Sequence, residues 1–170
     1  FGPRLPQVDF GRSLPTRAAD ALYWTNRSAE RAEAMARAAR VVASRIEQDP
    51  GLAALHGGGW AHRMVELVHA VGRTTDHEHL VGSDGEDPSA VLAADLAGLG
   101  RLVAGEIGAL LTEATTVREY LSVTTGRVLA HLAELRAGLA RGRVGVDDLD
   151  AVLADFAAFA GLWHESIVRG

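Results

Sequence analysis

Apolar residues recur at helical spacing along most of the chain, which predicts an all-α protein with no strand. The first helix is predicted to begin near Thr16, with Pro15 at its start, and to end before Asp49-Pro50-Gly51. Its inward positions are mostly small, so a neighbouring helix could approach closely. They are Ala18, Leu22, Ala29, Ala32, Ala36, Ala39, Ala43 and Ile46, with Trp24, Met35 and Val42 widening the apolar face.

Four further helices follow from the same periodicity. The second covers about residues 60–71, and the polar, acidic stretch 74–88 after it is predicted to be a loop. The third begins after Ser89, and the fourth runs from about Val117 until glycines stop it near residue 142. The fifth begins at Asp147-Asp148, where acidic side chains favour the positive end of the helix macrodipole. Its apolar stripe is Leu149, Val152, Leu153, Phe156, Ala160, Trp163 and Ile167.

These elements predict an antiparallel bundle of about five helices over residues 16–170. Residues 1–15 contain glycines and prolines and are predicted to be an irregular arm or linker. The third helix contains four glycines, each costing about 1 kcal/mol relative to alanine. That cost predicts either close helix packing or a break in the helix. The glycines are Gly98, Gly100, Gly105 and Gly108.

The composition and charge of the chain are typical of a globular domain and argue against nucleic-acid binding and membrane insertion. Of 170 residues, 48% are hydrophobic and 23% are charged, which is typical of one globular domain. The net charge of −5 and the interleaving of arginines with carboxylates argue against nucleic acid as a partner. No apolar run is long enough for a membrane span and no signal peptide is visible, so we expect a cytoplasmic protein without membrane association.

Two residue types are missing from the sequence. Without cysteine there are no disulfides, thiolate metal sites or cysteine nucleophiles. Without lysine there is no phosphate-loop or Schiff-base lysine, and we expect no cofactor. A GC-rich genome is the simplest explanation for a chain whose 17 basic residues are all arginine.

A metal site is one candidate for chemistry. His62, Glu66 and His69 share one face of the predicted second helix, and the last two form a Glu-x-x-His unit. A di-iron bundle needs two such units and two more carboxylates, whereas this chain has one unit. The alternative is a solvated helix face, and we expect no tightly bound metal.

The first helix offers a second candidate. Arg27 with Glu30, and Glu33 with Arg37, have the spacing of ion pairs along one helix. The ordinary meaning of such pairs is a solvated face that stabilises the helix by a few tenths of a kcal/mol. A role in binding is the alternative.

Three segments of the chain resemble the alpha-E family, a helical domain with a Glu-Arg motif. The first is Leu-Pro-Thr-Arg-Ala-Ala-Asp-Ala-Leu-Tyr-Trp at residues 14–24, followed by Glu30 and Arg31. The second is Thr-Val-Arg-Glu-Tyr-Leu-Ser at residues 116–122. The third, residues 161–170, has the form Gly-Leu-x-x-Glu-Ser-x-x-Arg-Gly. They occur in the family's order and span most of the chain.

The resemblance carries functional implications. Residues 124–129 are most similar to the version fused behind a circularly permuted ATP-grasp domain, which is common in actinobacteria. This implies a role beside a bacterial ATP-grasp ligase that forms amide or peptide bonds, often accompanied by a transglutaminase-like protein. Family members continue past the final Arg-Gly, so the resemblance also implies a domain truncated at its C-terminus. The motif positions carried over, as binding rather than catalytic residues, are Arg27, Glu30, Arg31, Arg118, Glu165 and Arg169.

Three functions therefore stand open. The leading one is a non-catalytic accessory and interaction domain of an ATP-grasp amide ligase system, whose parent protein could be the ligase itself. The second is a domain that adds Arg and Glu residues to the ligase active site or binds an acidic peptide. The third is a metal-binding helical bundle. Self-association into a homo-oligomer is compatible with each.

The Glu-Arg motif gives a structural expectation. Consecutive residues leave a helix roughly 100° apart, so Glu30 and Arg31 cannot both lie at the centre of one narrow face. A charge that faces a bundle core needs a partner. We therefore expect Glu30 or Arg31 to form an ion pair with the fourth or fifth predicted helix. The available partners are Arg118, Glu119, Glu165 and Arg169.

Overall fold

A computed structural model describes residues 16–49, 63, 67, 88–142 and 144–168. The described part is all-helical, with four long α-helices, one short 3-10 turn and no strand. The helices are α1 (Thr16–Gln48), α2 (Pro88–Thr116), α3 (Val123–Ala140) and α4 (Val146–Val168). The 3-10 turn Arg118–Tyr120 joins α2 to α3.

The first helix matches its prediction closely. It covers residues 16–48, and every predicted inward position is buried except Leu22, which is half-buried. Met35 and Val42 extend the buried face as expected, whereas the placement of Trp24 on that face was wrong. Trp24 lies largely in solvent because its position falls on the flank of the alanine stripe.

The four helices form a ring in which each one contacts two neighbours. Helix α1 packs against α2 and α4, and α3 packs against the same two helices from the other side. A single apolar core lies between them. Its largest fully buried side chains are Phe156, Phe159, Leu99, Ile107, Leu110, Leu132, Leu139 and Leu149.

Helix α2 is continuous across its glycines, so they do not break it, and a close approach of a neighbouring residue is seen at two of them, Gly100 and Gly108. A Cβ atom on Gly100 would lie 2.1 Å from Val144 Cγ2 and 3.0 Å from the carbonyl oxygen of Leu139. At Gly108 the added atom would lie 3.0 Å from Arg136 Nε, which donates a hydrogen bond to the carbonyl of Ala104. These two glycines let the last turns of α3 and the connection after it approach α2.

The start of the predicted fourth helix needs a correction. Val117 does not begin that helix but lies fully buried in the connection from α2. Helix α3 begins only at Val123, because Ser122 caps it by accepting a hydrogen bond of 3.0 Å from the Thr125 N–H. The helix ends at Ala140, and Gly142 follows with φ of 81°, a conformation that favours glycine.

Two carboxylates accept hydrogen bonds from backbone N–H groups at the start of α4. The Asp148 side chain accepts from the Gly145 N–H at 3.0 Å, as in a capping box. Glu47, at the end of α1, accepts from the Val146 N–H at 3.2 Å. Along the helix, Phe159 takes the buried position that periodicity assigned to Ala160, which is exposed.

Several predictions fall on residues outside the described ranges. These include the arm at residues 1–15, almost all of the predicted second helix at 60–71, and the loop at 74–87. The count of about five helices therefore stays a prediction. None of the helices in the described ranges is long and apolar enough to cross a membrane.

Candidate functional site

The Glu-Arg motif contributes an ion pair that joins two helices. Arg31 Nε on α1 lies 2.6 Å from Glu106 Oε2 on α2. The Glu106 side chain is only 6% exposed, whereas that of Arg31 is 55% exposed. A buried carboxylate is costly unless it is paired, so the contact with Arg31 offsets part of the cost of burying Glu106 at the edge of the core.

This pair fulfils only half of the sequence-based expectation. Arg31 does pair between helices, and its partner Glu106 belongs to the third predicted helix. Among the described residues neither Glu30 nor Arg31 pairs with Arg118 or Glu119 on the fourth predicted helix, whereas a pair with Glu165 or Arg169 on the fifth stays a prediction. Glu30 points to solvent and accepts from Arg27 and Asn26 within α1. The sequence analysis did not single out Glu106, because helical periodicity does not show which carboxylate on another helix lies beside Arg31.

The other pairs predicted along α1 are confirmed. Arg27 and Glu30 pair at 3.0 Å, with both side chains more than half exposed. Arg37 pairs with Glu33 one turn earlier. Such solvated pairs stabilise a helix only weakly, and a role of these residues in binding stays a prediction.

Two aromatic side chains stand in solvent near the start of α1. Tyr23 and Trp24 are 62% and 56% exposed, and their rings meet edge to face with centroids 5.3 Å apart. Both belong to the first segment that resembles the family. Trp and Tyr are enriched at interaction hot spots because they bury much apolar area at low entropic cost.

An open groove of about 740 Å³ lies between the end of α2 and the start of α3. Its apolar lining includes Leu111, Leu121, Val123 and Leu129, and we name it the α2–α3 groove. Two arginines also line it. Arg118 and Arg127 form no ion pair with any residue in the described ranges.

Further ion pairs tie α4 to its two neighbours. Arg40 on α1 forms a two-pronged pair with Asp150, and the hydrogen bond from this guanidinium holds the pKa of the Asp150 carboxyl below its usual value. His131 Nδ1 on α3 lies 2.6 Å from Asp155 Oδ2. These contacts fix helix positions at the surface of the bundle, and none of their residues lines the groove described above.

The proposed metal ligands are not tested by the structure. His62, Glu66 and His69 lie outside the described residues. Within the described ranges no cluster of three or more His, Asp or Glu side chains could hold a metal ion. The side chains of Glu165 and Arg169 also lie outside what the structure describes, so their relation to Arg31 stays a prediction.

The geometry of Arg31 allows it to bind a further anion. Only its Nε is engaged by Glu106, and neither terminal nitrogen donates to any described residue. A guanidinium held in place on one side can still present two donors to a carboxylate or phosphate. Glu106, the buried partner, thus has a structural role, whereas the terminal nitrogens of Arg31, the exposed partner, can bind a ligand.

The second family-like segment has a clear structural role. In residues 116–122, Val117 fills the core, Arg118 begins the 3-10 turn and Ser122 caps α3. Val117 and Ser122 thus shape the connection between α2 and α3. Arg118 and Leu121 line the α2–α3 groove.

Comparison with known proteins places the chain in one family. Residues 14–170 match the sequence model of Alpha-E, described as a predicted alpha-helical domain with a conserved ER motif. No curated protein and no solved structure gives a significant match. Because the match extends over nearly the whole chain and includes Glu30-Arg31, this protein belongs to the Alpha-E family.

Proposed function

We propose that this chain is a non-catalytic accessory and interaction domain of an ATP-grasp amide ligase system. The observation that carries the proposal is the exposed Tyr23–Trp24 pair near the start of α1. Apolar surface of this kind gains about 25 cal/mol per Å² when a partner covers it. Arg27 and Arg31 follow on the same helix and provide polar contacts at the border of such an interface.

The proposal includes an antiparallel bundle, which would gather the family segments at one end. Arg40 on α1 pairs with Asp150 on α4, and Glu47, later on α1, accepts from the N–H of Val146, which comes earlier on α4. The chain therefore runs in opposite directions along the two helices. Extending both helices from these contacts brings residues 16–31 toward the C-terminal part of α4.

An association measurement tests the proposal directly. The chain would be titrated by calorimetry with the ATP-grasp ligase encoded by a neighbouring gene. If no such gene exists, the partner would be an ATP-grasp domain encoded in the same reading frame as this chain. We expect binding that the double change Tyr23→Ser, Trp24→Ser weakens by at least about tenfold, or roughly 1.4 kcal/mol. Exchange of Val41, an exposed apolar residue later on α1, for Ser is the matched control.

Activity measurements distinguish an accessory role from catalysis. The chain alone should form no amide bond and release no phosphate from ATP, whereas adding it to the ligase should alter the ligase rate. Amide formation by the isolated chain, or the absence of any binding to the ligase, would contradict the proposal. A transglutaminase-like protein can be tested as a second partner in the same titration.

One observation favours a second candidate, in which the domain completes the ligase active site. The terminal nitrogens of Arg31 are free of described partners while Glu106 fixes its Nε. Such an arginine could hold an acyl-phosphate or the carboxylate of an acidic peptide. If so, Arg31→Lys should lower the ligase kcat without weakening domain association, whereas Arg37→Lys, at an exposed arginine later on α1, should change neither.

A further inference from the structure

We infer that the α2–α3 groove is a recognition site for an acidic peptide segment that also carries apolar side chains. The groove is lined by residues of α2, α3 and their connection, and none of its lining residues comes from α1. It is therefore a different surface from the aromatic pair used in the proposed ligase interface. The inference does not rest on the ligase association.

The apolar floor of the groove indicates that the bound peptide contributes apolar side chains. Val123 is 76% exposed, and Leu121 and Leu111 are only partly buried beside it. Leu129 and Ala114 continue this surface into the core. A groove of about 740 Å³ has room for several apolar side chains of a partner, and covering it would remove exposed aliphatic surface from water.

The charges at the groove determine which kind of peptide fits. Arg118 and Arg127 line it and have no carboxylate partner among the described residues, in a chain whose net charge is −5. None of the described residues that line the groove is acidic, although Glu119 follows Arg118 in the 3-10 turn. Paired with carboxylates of a peptide, both guanidinium groups would form charge-assisted hydrogen bonds.

The same charges disfavour polyanionic partners. A nucleic acid or an anionic membrane interacts with charges over much of the chain's surface, and the net charge of the chain is negative, so such a partner is repelled. A short peptide with carboxylates at helical spacing meets mainly the two arginines, because other charges are screened over about 10 Å. The concave shape and apolar floor also match a peptide better than a flat lipid surface.

Fluorescence anisotropy with synthetic peptides tests the inference. The probe is a short labelled peptide in which Glu and Leu recur at helical spacing, and the matched peptide has Gln in place of each Glu. We expect the Glu peptide to bind at least about tenfold more tightly than the Gln peptide, with an advantage that shrinks as salt rises. Equal binding of the two peptides, or no binding of either, would overturn the inference.

Arginine variants locate the binding in the groove. Arg118→Ala and Arg127→Ala should each weaken binding of the Glu peptide by about fivefold, and Val123→Ser should weaken both peptides. Arg101→Ala and Arg141→Ala are matched controls, since these exposed arginines also have no ion pair with described residues but lie outside the groove. If the controls lose as much affinity as the groove variants, the binding is non-specific and the inference fails.

Two further measurements exclude other occupants. Each variant should unfold at the temperature of the unchanged chain, because all three groove positions tested are exposed. Light scattering should show no self-association that depends on Arg118, and vesicles of phosphatidylglycerol should not bind. A dimer or vesicle complex abolished by Arg118→Ala would assign the groove to a second copy or to lipid, and would overturn the inference.

Discussion

Arg31 on α1 donates from Nε to Glu106 on α2 across 2.6 Å, and this single contact joins an exposed guanidinium to a buried carboxylate. The asymmetry matters because the two residues lose different amounts of hydration on folding. Glu106 depends on Arg31, while Arg31 could be hydrated without Glu106. The Arg of the family motif is thus partly explained as the counter-ion of a residue 75 positions away in the sequence.

Removing Arg31 should therefore destabilise the bundle. Arg31→Met leaves the Glu106 carboxylate buried without its partner and should lower the free energy of unfolding by about 1–3 kcal/mol. Arg27→Met, in an exposed pair on the same helix, should cost less than about 0.5 kcal/mol. Urea denaturation at neutral pH measures both.

Replacing both partners should restore part of the loss. The double variant Arg31→Met, Glu106→Met removes the buried charge together with its counter-ion, so it should be more stable than Arg31→Met alone. Additive losses would mean that the two side chains act independently, and would contradict the role assigned to the pair.

The Arg40–Asp150 pair gives a pH dependence. The pKa of Asp150 is lowered in the folded chain, first by its hydrogen bond from Arg40, so the carboxylate stabilises the fold above its unfolded pKa. That contribution is lost as pH falls through the lowered folded pKa. The difference in unfolding free energy between the unchanged chain and Asp150→Asn should be present at neutral pH and should close on acidification.

The pH experiment has an internal control. Both side chains of the pair are partly exposed, so the effect should be modest and should shrink in high salt. Arg40→Gln should reproduce the loss at neutral pH and should make the remaining stability less sensitive to acid. A stability gap that widens toward acidic pH would contradict the expected sign.

The glycines of α2 should respond to alanine in different ways. Gly105→Ala meets nothing within 4 Å and should stabilise the helix by about 1 kcal/mol through propensity alone. Gly100→Ala places a Cβ against Val144 and the Leu139 carbonyl, and should destabilise by about 1–3 kcal/mol. Thermal unfolding ranks the two variants, and the same sign for both would contradict the close approach at Gly100.

The cap of α3 can be tested within the second family-like segment. Ser122→Ala removes the acceptor for the Thr125 N–H and should cost about 1 kcal/mol, whereas Ser122→Asp keeps an acceptor and should cost little. Chemical denaturation measures both variants. Equal losses for Ala and Asp would show that Ser122 acts through something other than the cap.

The elements predicted correctly depend on local rules. The alanine stripe of α1, both ends of α1 and the C-terminal end of α3 follow from helical periodicity, proline and glycine. These signals need no knowledge of the partner helices. The same holds for Asp148 at the start of α4, because acidic residues favour a helix N-terminus wherever that helix lies. The Arg27–Glu30 pair belongs to this group as well.

The errors share a different cause. Periodicity gave Ala160 a buried position that Phe159 occupies, because a slight rotation of α4 against its neighbours decides between adjacent residues. It also started the fourth helix at Val117, since a buried valine in a tight connection has the same pattern as one in a helix. Both outcomes are set by contacts between helices.

The sequence alone determined the helical class, the family-like segments and the alanine stripe of α1, because these depend on side chains a few residues apart. Only the tertiary structure decided that Glu106 is the partner of Arg31 and that Gly100 lies against Val144. It also decided that Arg118 and Arg127 line one apolar groove. The physical reason is that spacing along a helix fixes the direction of a side chain, whereas the residue it meets depends on how separate helices pack against one another.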